Sequence, residues 1–310
     1  MFTFEIADFV PYRNREVLDR VRKISGKDLE RHPNPNFRIK IVSNPDGIWV
    51  ADMVARMQRS DRDDERLVMI LPNPCPAIYE AVAEAVNMNR IDCRNVHVFT
   101  MDEWADQDGN IAPIDYPAGF GHSCLKYFRG SIDESLRMPL EQIHYPTTEN
   151  IRDYSKMIVD CGEGGADIVY SGPGWAGHIA FIDPRTPEFG TEDLEEFLAM
   201  DARVVTLNPM TILQNSLHGC FGCSGDIASV PPRAATIGPA DVRRARNRLE
   251  IHGLTTMGTF SSWQRMVSRL ILHGEVTPHV PASILQLMDT HVYVSEAIAE
   301  PIERHERMGY

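Results

Sequence analysis

The spacing of apolar side chains changes several times along this chain, and each change marks an element. Phe37, Ile39 and Ile41 alternate with Arg38 and Lys40, the period of a strand with one polar face. Asn44 to Gly47 reads as a turn and Ile48 to Met57 as a helix. Leu67 to Leu71 is an unbroken apolar run, the mark of a strand covered on both faces; it ends in Pro72-Asn73-Pro74-Cys75-Pro76 before a helical stretch from Ala77 to Val86. Val96 to Thr100 repeats the run and leads into Met101-Asp102-Glu103-Trp104. Ala166 to Tyr170 repeats it again and enters a loop with glycines at 172, 174 and 177 around His178, closed by Asp183-Pro184.

Further along, Tyr116 to Phe128 reads as a loop leading into a helix, and Glu188 to Asp201 as an acidic helix with Leu194, Phe197 and Leu198 inward. Arg203 to Pro232 looks irregular, a lid or binding loop. Leu249 to Leu254 and His291 to Ser295 read as strands, with a helix from Phe260 to His273 between them. Strands alternating with helices predict an α/β fold of Rossmann-like, doubly wound type: a mostly parallel sheet, helices on both faces, and a lid insertion over about 185–232. Residues 1–36, ending in the breaker His32-Pro33-Asn34-Pro35, read as an N-terminal extension to one domain over 37–310. In such sheets ligands collect at the carboxyl ends of the strands, and Asn73, Asp102 and His178 all follow strands at that edge.

A formal charge of -13 over 310 residues excludes a broad nucleic-acid or anionic-membrane surface, which needs clustered Lys and Arg. No window approaches a membrane span, and the acidic N-terminus lacks the basic start of a signal peptide. Six cysteines in a chain this long do not form a disulfide scaffold, so a reducing cytoplasm is expected. Cys75, Cys93, Cys124 and Cys161 read as packing residues. Cys220 and Cys223 with His218 resemble half a zinc site, but no second pair completes four ligands, so neither metal nor cofactor is expected.

A carboxylate just past a buried strand can have its pKa raised and carry protons near neutral pH. Asp102 and Glu103 fit that role, with only one of them able to reach a cleft; taken alone, they fit the N-terminus of a helix better. His178 and Asp183 read either as an acid–base dyad or as a turn with its terminator.

Phe99-Thr100-Met101-Asp102-Glu103-Trp104 is similar to Phe-Asn-Met-Asp-Glu-Tyr of the glucosamine-6-phosphate deaminase and isomerase family, whose superfamily includes 6-phosphogluconolactonases. Gly172 to Pro184 resembles that family's Gly-Val-Gly-Asn-Asp-Gly-His-Ile-Ala-Phe-Asn-Glu-Pro, and Pro281 to Gln286 its late Ser-x-Leu-Gln segment. The resemblance implies that Asp102 moves a proton between C1 and C2, that His178 opens the sugar ring, and that Asp183 assists where the family has Glu. It also implies a homo-oligomer and a small-molecule sugar substrate.

The departures bear on the substrate. Ala176 replaces an aspartate of the ring-opening relay, and Trp175 beside it reads as a wall that stacks on a sugar. The glycine-rich phosphate turn becomes Asn73-Pro74-Cys75-Pro76, and proline has no N–H to offer an anion. The phosphate lysine falls at Gln264 or Arg265 and the lid arginine near Asn208, leaving Arg265 as the one replacement cation. The expectation is an isomerase- or deaminase-like enzyme acting on a sugar without the usual 6-phosphate, bound through Asn73, Glu103, Gly172, Gly174, Trp175, Gly177, Asn208 and Arg265. The alternatives are a sugar-lactone hydrolase and a catalytically silent sugar-binding protein.

Overall fold

The computed structural model describes residues 2–72, 76–254 and 261–304. In chain order the elements are α1 (Arg15–Arg22), β1 (Phe37–Val42), α2 (Pro45–Asp63), β2 (Leu67–Leu71), α3 (Pro76–Asn89), β3 (Val96–Thr100) and β4 (Asp102–Ala105). There follow α4 (Phe120–Ser123), β5 (Ile143–His144), α5 (Tyr154–Cys161), β6 (Ile168–Ser171), α6 (Leu194–Leu198), β7 (Arg203–Thr206) and α7 (Pro209–Asn215). The last are β8 (Arg233–Thr236), α8 (Pro239–Arg244), β9 (Asn247–His252), α9 (Gln264–His273), β10 (Thr290–Ser295) and α10 (Glu296–Ala299).

Seven strands form one parallel sheet in the order β1-β10-β9-β6-β2-β3-β5. β2 is buried along its whole length, as its unbroken apolar run requires. On one face Met69, Leu71, Val98 and Ile251 pack against Trp49, Met53 and Met57 of α2 and Tyr79 and Val82 of α3. On the other, Ile70, Phe99, Val169 and Val292 pack with Ile158 of α5, Val267 and Ile271 of α9, and Ile298 of α10. This is the doubly wound α/β sheet that the strand–helix alternation predicts. After β2 the chain winds outward through β3 and β5, then returns to β6 and winds the other way through β9 and β10. The neighbours β2 and β6 therefore flank the switch point, where the crevice of such a sheet opens.

Three local readings are corrected. Asn44 to Gly47 is not a separate turn: Asn44 caps α2, its side chain accepting from Gly47 N at 3.0 Å, with Pro45 in the first turn. Asp102 and Glu103 do not begin a helix; they open β4, the edge of a three-stranded antiparallel sheet, β4-β8-β7, standing at the carboxyl edge of the main sheet. The stretch from Arg203 to Pro232 is also less irregular than its composition implies, since it supplies β7 and α7. Trp104 fixes the small sheet in place, fully buried against Phe120, Phe181 and Phe221, its indole N–H donating to Ala118 O at 3.0 Å. The acidic stretch 188–201 yields only the short α6, with Phe197 and Leu198 buried and Leu194 half-buried. The N-terminal residues lie along α9, with Val17 and Val21 buried and Tyr12 donating to Glu275 at 2.6 Å. Among the described residues no helix is long and apolar enough to cross a membrane.

Candidate active site

A cavity of about 120 Å³ opens at the switch point. The strand ends supply Pro72 after β2, Met101 and Asp102 after β3, and Gly172 after β6; His178, Phe181, Phe120, Gln214, Asn215 and His218 complete the wall. Gln214 and Asn215 come from α7 and His218 from the turn after it, so the 203–232 segment folds back over the strand ends.

His178 is buried and held by a defined set of contacts. Its Nδ1 lies 2.6 Å from Asp183 Oδ1 and 3.0 Å from Thr211 Oγ1, while the Thr211 hydroxyl donates to the same carboxylate oxygen at 2.7 Å. Asp183 Oδ2 accepts from Asn208 N at 2.8 Å. A carboxylate only accepts, so Nδ1 carries a proton, and the tautomer this fixes for a neutral ring has its lone pair on Nε2. Asp183, one methylene shorter than the family's glutamate, still reaches the imidazole.

Two glycines make this loop possible. Gly177 sits at φ +81°, the left-handed region. Gly174 lies so close to the ring that an added Cβ would stand 1.7 Å from His178 Nε2. The loop is buttressed from beneath, Gly177 O accepting from Ala282 N at 2.9 Å, which places the Pro281 to Gln286 segment against it.

Asp102 is buried, and burial, helped by the neighbouring Glu103 charge, pushes its carboxyl well above the usual carboxylate range. Of the adjacent pair, Asp102 lines the cavity and Glu103 does not. The Glu103 carboxylate accepts from Trp104 N at 2.9 Å, Phe120 N at 3.1 Å and Gly121 N at 2.8 Å. Burial raises Glu103 and those three bonds oppose the rise. His218 is lowered by burial first and by His178 second.

The remaining expected residues are spread. Gly172 lines the cavity. Trp175 faces the other way: it stacks on Trp263 with ring centroids 6.3 Å apart and lines a separate apolar cavity with Tyr12, Met210 and Met266. Its backbone N–H, not its ring, connects to the site, donating to Gln214 Oε1 at 2.6 Å. Asn208 caps α7, accepting from Met210 N at 2.9 Å. Arg265 donates to the carbonyls of Glu300 and Pro301, whereas its neighbour Gln264 turns toward the loop and donates to Pro173 O at 3.2 Å. Helical phase thus puts Gln264, not Arg265, on the side of the cleft. Asn73 lies outside the described residues, as do Pro74 and Cys75.

Sequence reasoning missed Thr211, Gln214, Asn215 and His218 as site neighbours. It also missed a buried polar group behind the loop, where Ser171 donates to Glu250, and His252 lies 3.4 Å from Glu250 and 2.8 Å from Ser268 Oγ. Glu250 and His252 on β9 sit where the strand reading implied only packing.

No protein-family model matches the chain. The glucosamine-6-phosphate deaminase of Staphylococcus haemolyticus is 26% identical over 245 residues, covering 77% of this chain and 88% of that protein. The enzyme of the same name from Rhodopirellula baltica is 29% identical over 233 residues, covering 73% and 80%. Among solved structures, a monomeric glucosamine-6-phosphate deaminase superposes with a TM-score of 0.65 at 21% identity, covering 84% of this chain and 98% of that one. The 6-phosphogluconolactonase of Leishmania guyanensis gives 0.59 at 14%, covering 86% and 98%. At these identities the structural likeness shows the fold.

Proposed function

We propose, on the premise that the chain belongs to the superfamily of glucosamine-6-phosphate deaminases and 6-phosphogluconolactonases, that it is an enzyme of carbohydrate metabolism catalysing acid–base proton transfer on a sugar or amino sugar without a 6-phosphate. Asp102 passes the proton between neighbouring carbons. His178, with Asp183 and Thr211 holding Nδ1, opens the ring through Nε2. The side-chain amides of Gln214 and Asn215 offer hydrogen bonds to sugar hydroxyls, and His218 supplies a second imidazole.

The observation that carries the missing phosphate is the cavity wall, which holds no lysine or arginine among the described residues. Phosphate recognition draws on charge-assisted bonds, so a cation-free wall favours a neutral ligand. Steady-state assays across free and phosphorylated amino sugars, aldoses and ketoses test this. The expected result is turnover of a free sugar exceeding that of its 6-phosphate; strong turnover of glucosamine 6-phosphate would overturn it.

One observation favours a second reading. Burial favours the protonated form of Asp102, which is a poor base, whereas a neutral His178 with Nδ1–H on Asp183 presents its lone pair on Nε2. In a sugar-lactone hydrolase His178 would activate water and Asp102 would be dispensable. Asp102→Asn separates the two: abolished turnover supports proton transfer on carbon, full turnover supports lactone hydrolysis.

A further inference from the structure

At the β5 edge of the sheet, three side chains far apart in sequence converge. β3 and β5 run parallel with Phe99 opposite His144, so His97, two residues before Phe99, shares a face with both. The His144 ring lies on Phe99 with centroids 4.2 Å apart and is parallel to the His97 ring within 6°. α5 covers this face, and its last residue, Cys161, reaches the two imidazoles. One ring nitrogen from each histidine and the Cys161 sulfur all lie within 4.8 Å of one another.

We propose that His97, His144 and Cys161 form a zinc(II) site that clamps the two-residue edge strand β5 and the end of α5 to β3. His97 Nδ1 and His144 Nε2 are 3.5 Å apart, too far for a good hydrogen bond. Around a tetrahedral zinc with bonds of about 2.0–2.1 Å, two imidazole nitrogens stand about 3.3–3.4 Å apart. The sulfur needs to approach by at most about 1.2 Å to reach its own bond length of about 2.3 Å, and a water completes four ligands.

Both rings are available in the neutral, ligating form. Burial lowers His97, with Arg66 second, and lowers His144 to about 4, with His97 second. Gln142 stands beside His97, its Nε2 2.9 Å from His97 Nε2, while its own Oε1 is buried without a hydrogen-bond partner. Turning that amide, at the loss of its bond to Arg94 O, gives His97 Nε2–H an acceptor. That is the outer hydrogen bond that orients a metal-bound imidazole. Arg66 opposes a cation here, and Glu163, 3.8 Å from it, offsets part of its charge. Burial holds the Cys161 thiol up, so zinc must displace its proton to form the Zn–S bond, one proton released per ion bound.

The test uses the full chain carrying C220S and C223S, which removes the exposed thiol pair from competition, titrated with Co²⁺ as a spectroscopic probe and then with Zn²⁺. The expected result is one Co²⁺ per chain with a thiolate-to-cobalt absorption band, displaced by Zn²⁺ and weakening as pH falls. Cys161→Ser loses the band, and both Cys161→Ser and His144→Ala lower zinc affinity by at least about tenfold, with circular dichroism of the metal-free variants matching the parent. Absence of the band in the parent overturns the site, and so does its persistence in Cys161→Ser. If His144→Ala does not fold, the conservative Cys161→Ser decides alone.

Discussion

Gly174→Ala probes how the imidazole is held. A Cβ built at Gly174 stands 1.7 Å from His178 Nε2 and 2.1 Å from both Cδ2 and Cε1, whereas ordinary contact begins at 3.4 Å. The obstacle is steric, because Gly174 is not in the left-handed region. The ring must therefore retreat by about 1.7 Å, or the loop must open by as much. Retreat breaks the contacts of Nδ1 with Asp183 and Thr211. Misplacing a reacting group by about 1 Å costs about 10²-fold in rate, roughly 2.7 kcal/mol of barrier. Loss of the buried bond costs a further ~1–3 kcal/mol of stability, and at about 2–4 °C per kcal/mol the melting temperature falls by several degrees. The assay is kcat on the free sugar that the parent turns over best, read beside the thermal melt and the proton NMR signal of the imidazole Nδ1–H. Gly219→Ala is the control, since its added methyl meets nothing within 4 Å. A Gly174→Ala protein with kcat within about threefold of the parent and an unshifted Nδ1–H signal would refute the placement of the ring.

Asp183→Asn keeps the size but not the charge that fixes the His178 tautomer, and kcat should fall by about 10²–10⁴-fold while KM changes little; equal loss in both would point to a binding role instead. Asp102→Asn tests the buried carboxyl through stability. A raised folded-state pKa favours the protonated form, so its stabilisation is present at acid pH and lost as pH rises through the folded value; the parent's melting temperature should drop relative to Asp102→Asn as pH rises above about 4. A constant difference across that range would contradict the shift. Trp175→Ala should lower stability by about 1 kcal/mol through loss of the Trp263 stack and leave KM for the sugar within about twofold, whereas a large rise in KM would restore the sugar-stacking role.

The sheet was legible because its central strands are covered on both faces: the runs at Leu67–Leu71 and Val96–Thr100 needed no pairing information to be read. The same runs brought Asp102 and His178 to one edge, since parallel topology puts every strand's carboxyl end there. β7 and β8 were not legible. Arg-Val-Val-Thr and Arg-Ala-Ala-Thr are four residues each, and they become strands only by pairing with each other and with β4. What folds over the cleft was hidden for the same reason. Gln214 and His218 reach it through a long return of the chain, and no local period encodes that return. Trp175 and Arg265 lie away from the described cavity wall for a finer cause, a rotation of one residue on a loop and on a helix, which spacing alone does not fix.

The emptiness of the cleft in cations and the elevation of Asp102 are one electrostatic fact seen from two sides. A lysine or arginine on the wall would offer the carboxylate a counter-charge and draw its pKa down; with none there among the described residues, burial goes uncompensated. On the proposed reading, the same uncompensated site is hostile to a phosphorylated ligand. A dianion held about 7 Å from an ionised carboxylate at an effective dielectric near 20 is repelled by about 5 kcal/mol, roughly 3–4 powers of ten in affinity. A protonated Asp102 would escape that repulsion, but it would then hold the proton that transfer between carbons requires it to take up. On the proposed reading, a neutral sugar is therefore the ligand with which this cleft can both bind and ionise Asp102. Free-sugar turnover should accordingly rise with pH as Asp102 loses its proton, with an apparent pKa above the ordinary carboxylate range. A pH–rate profile of kcat/KM for the free sugar, flat from about pH 5 to 8, would break this link between the charge of the wall and the chemistry of the carboxyl.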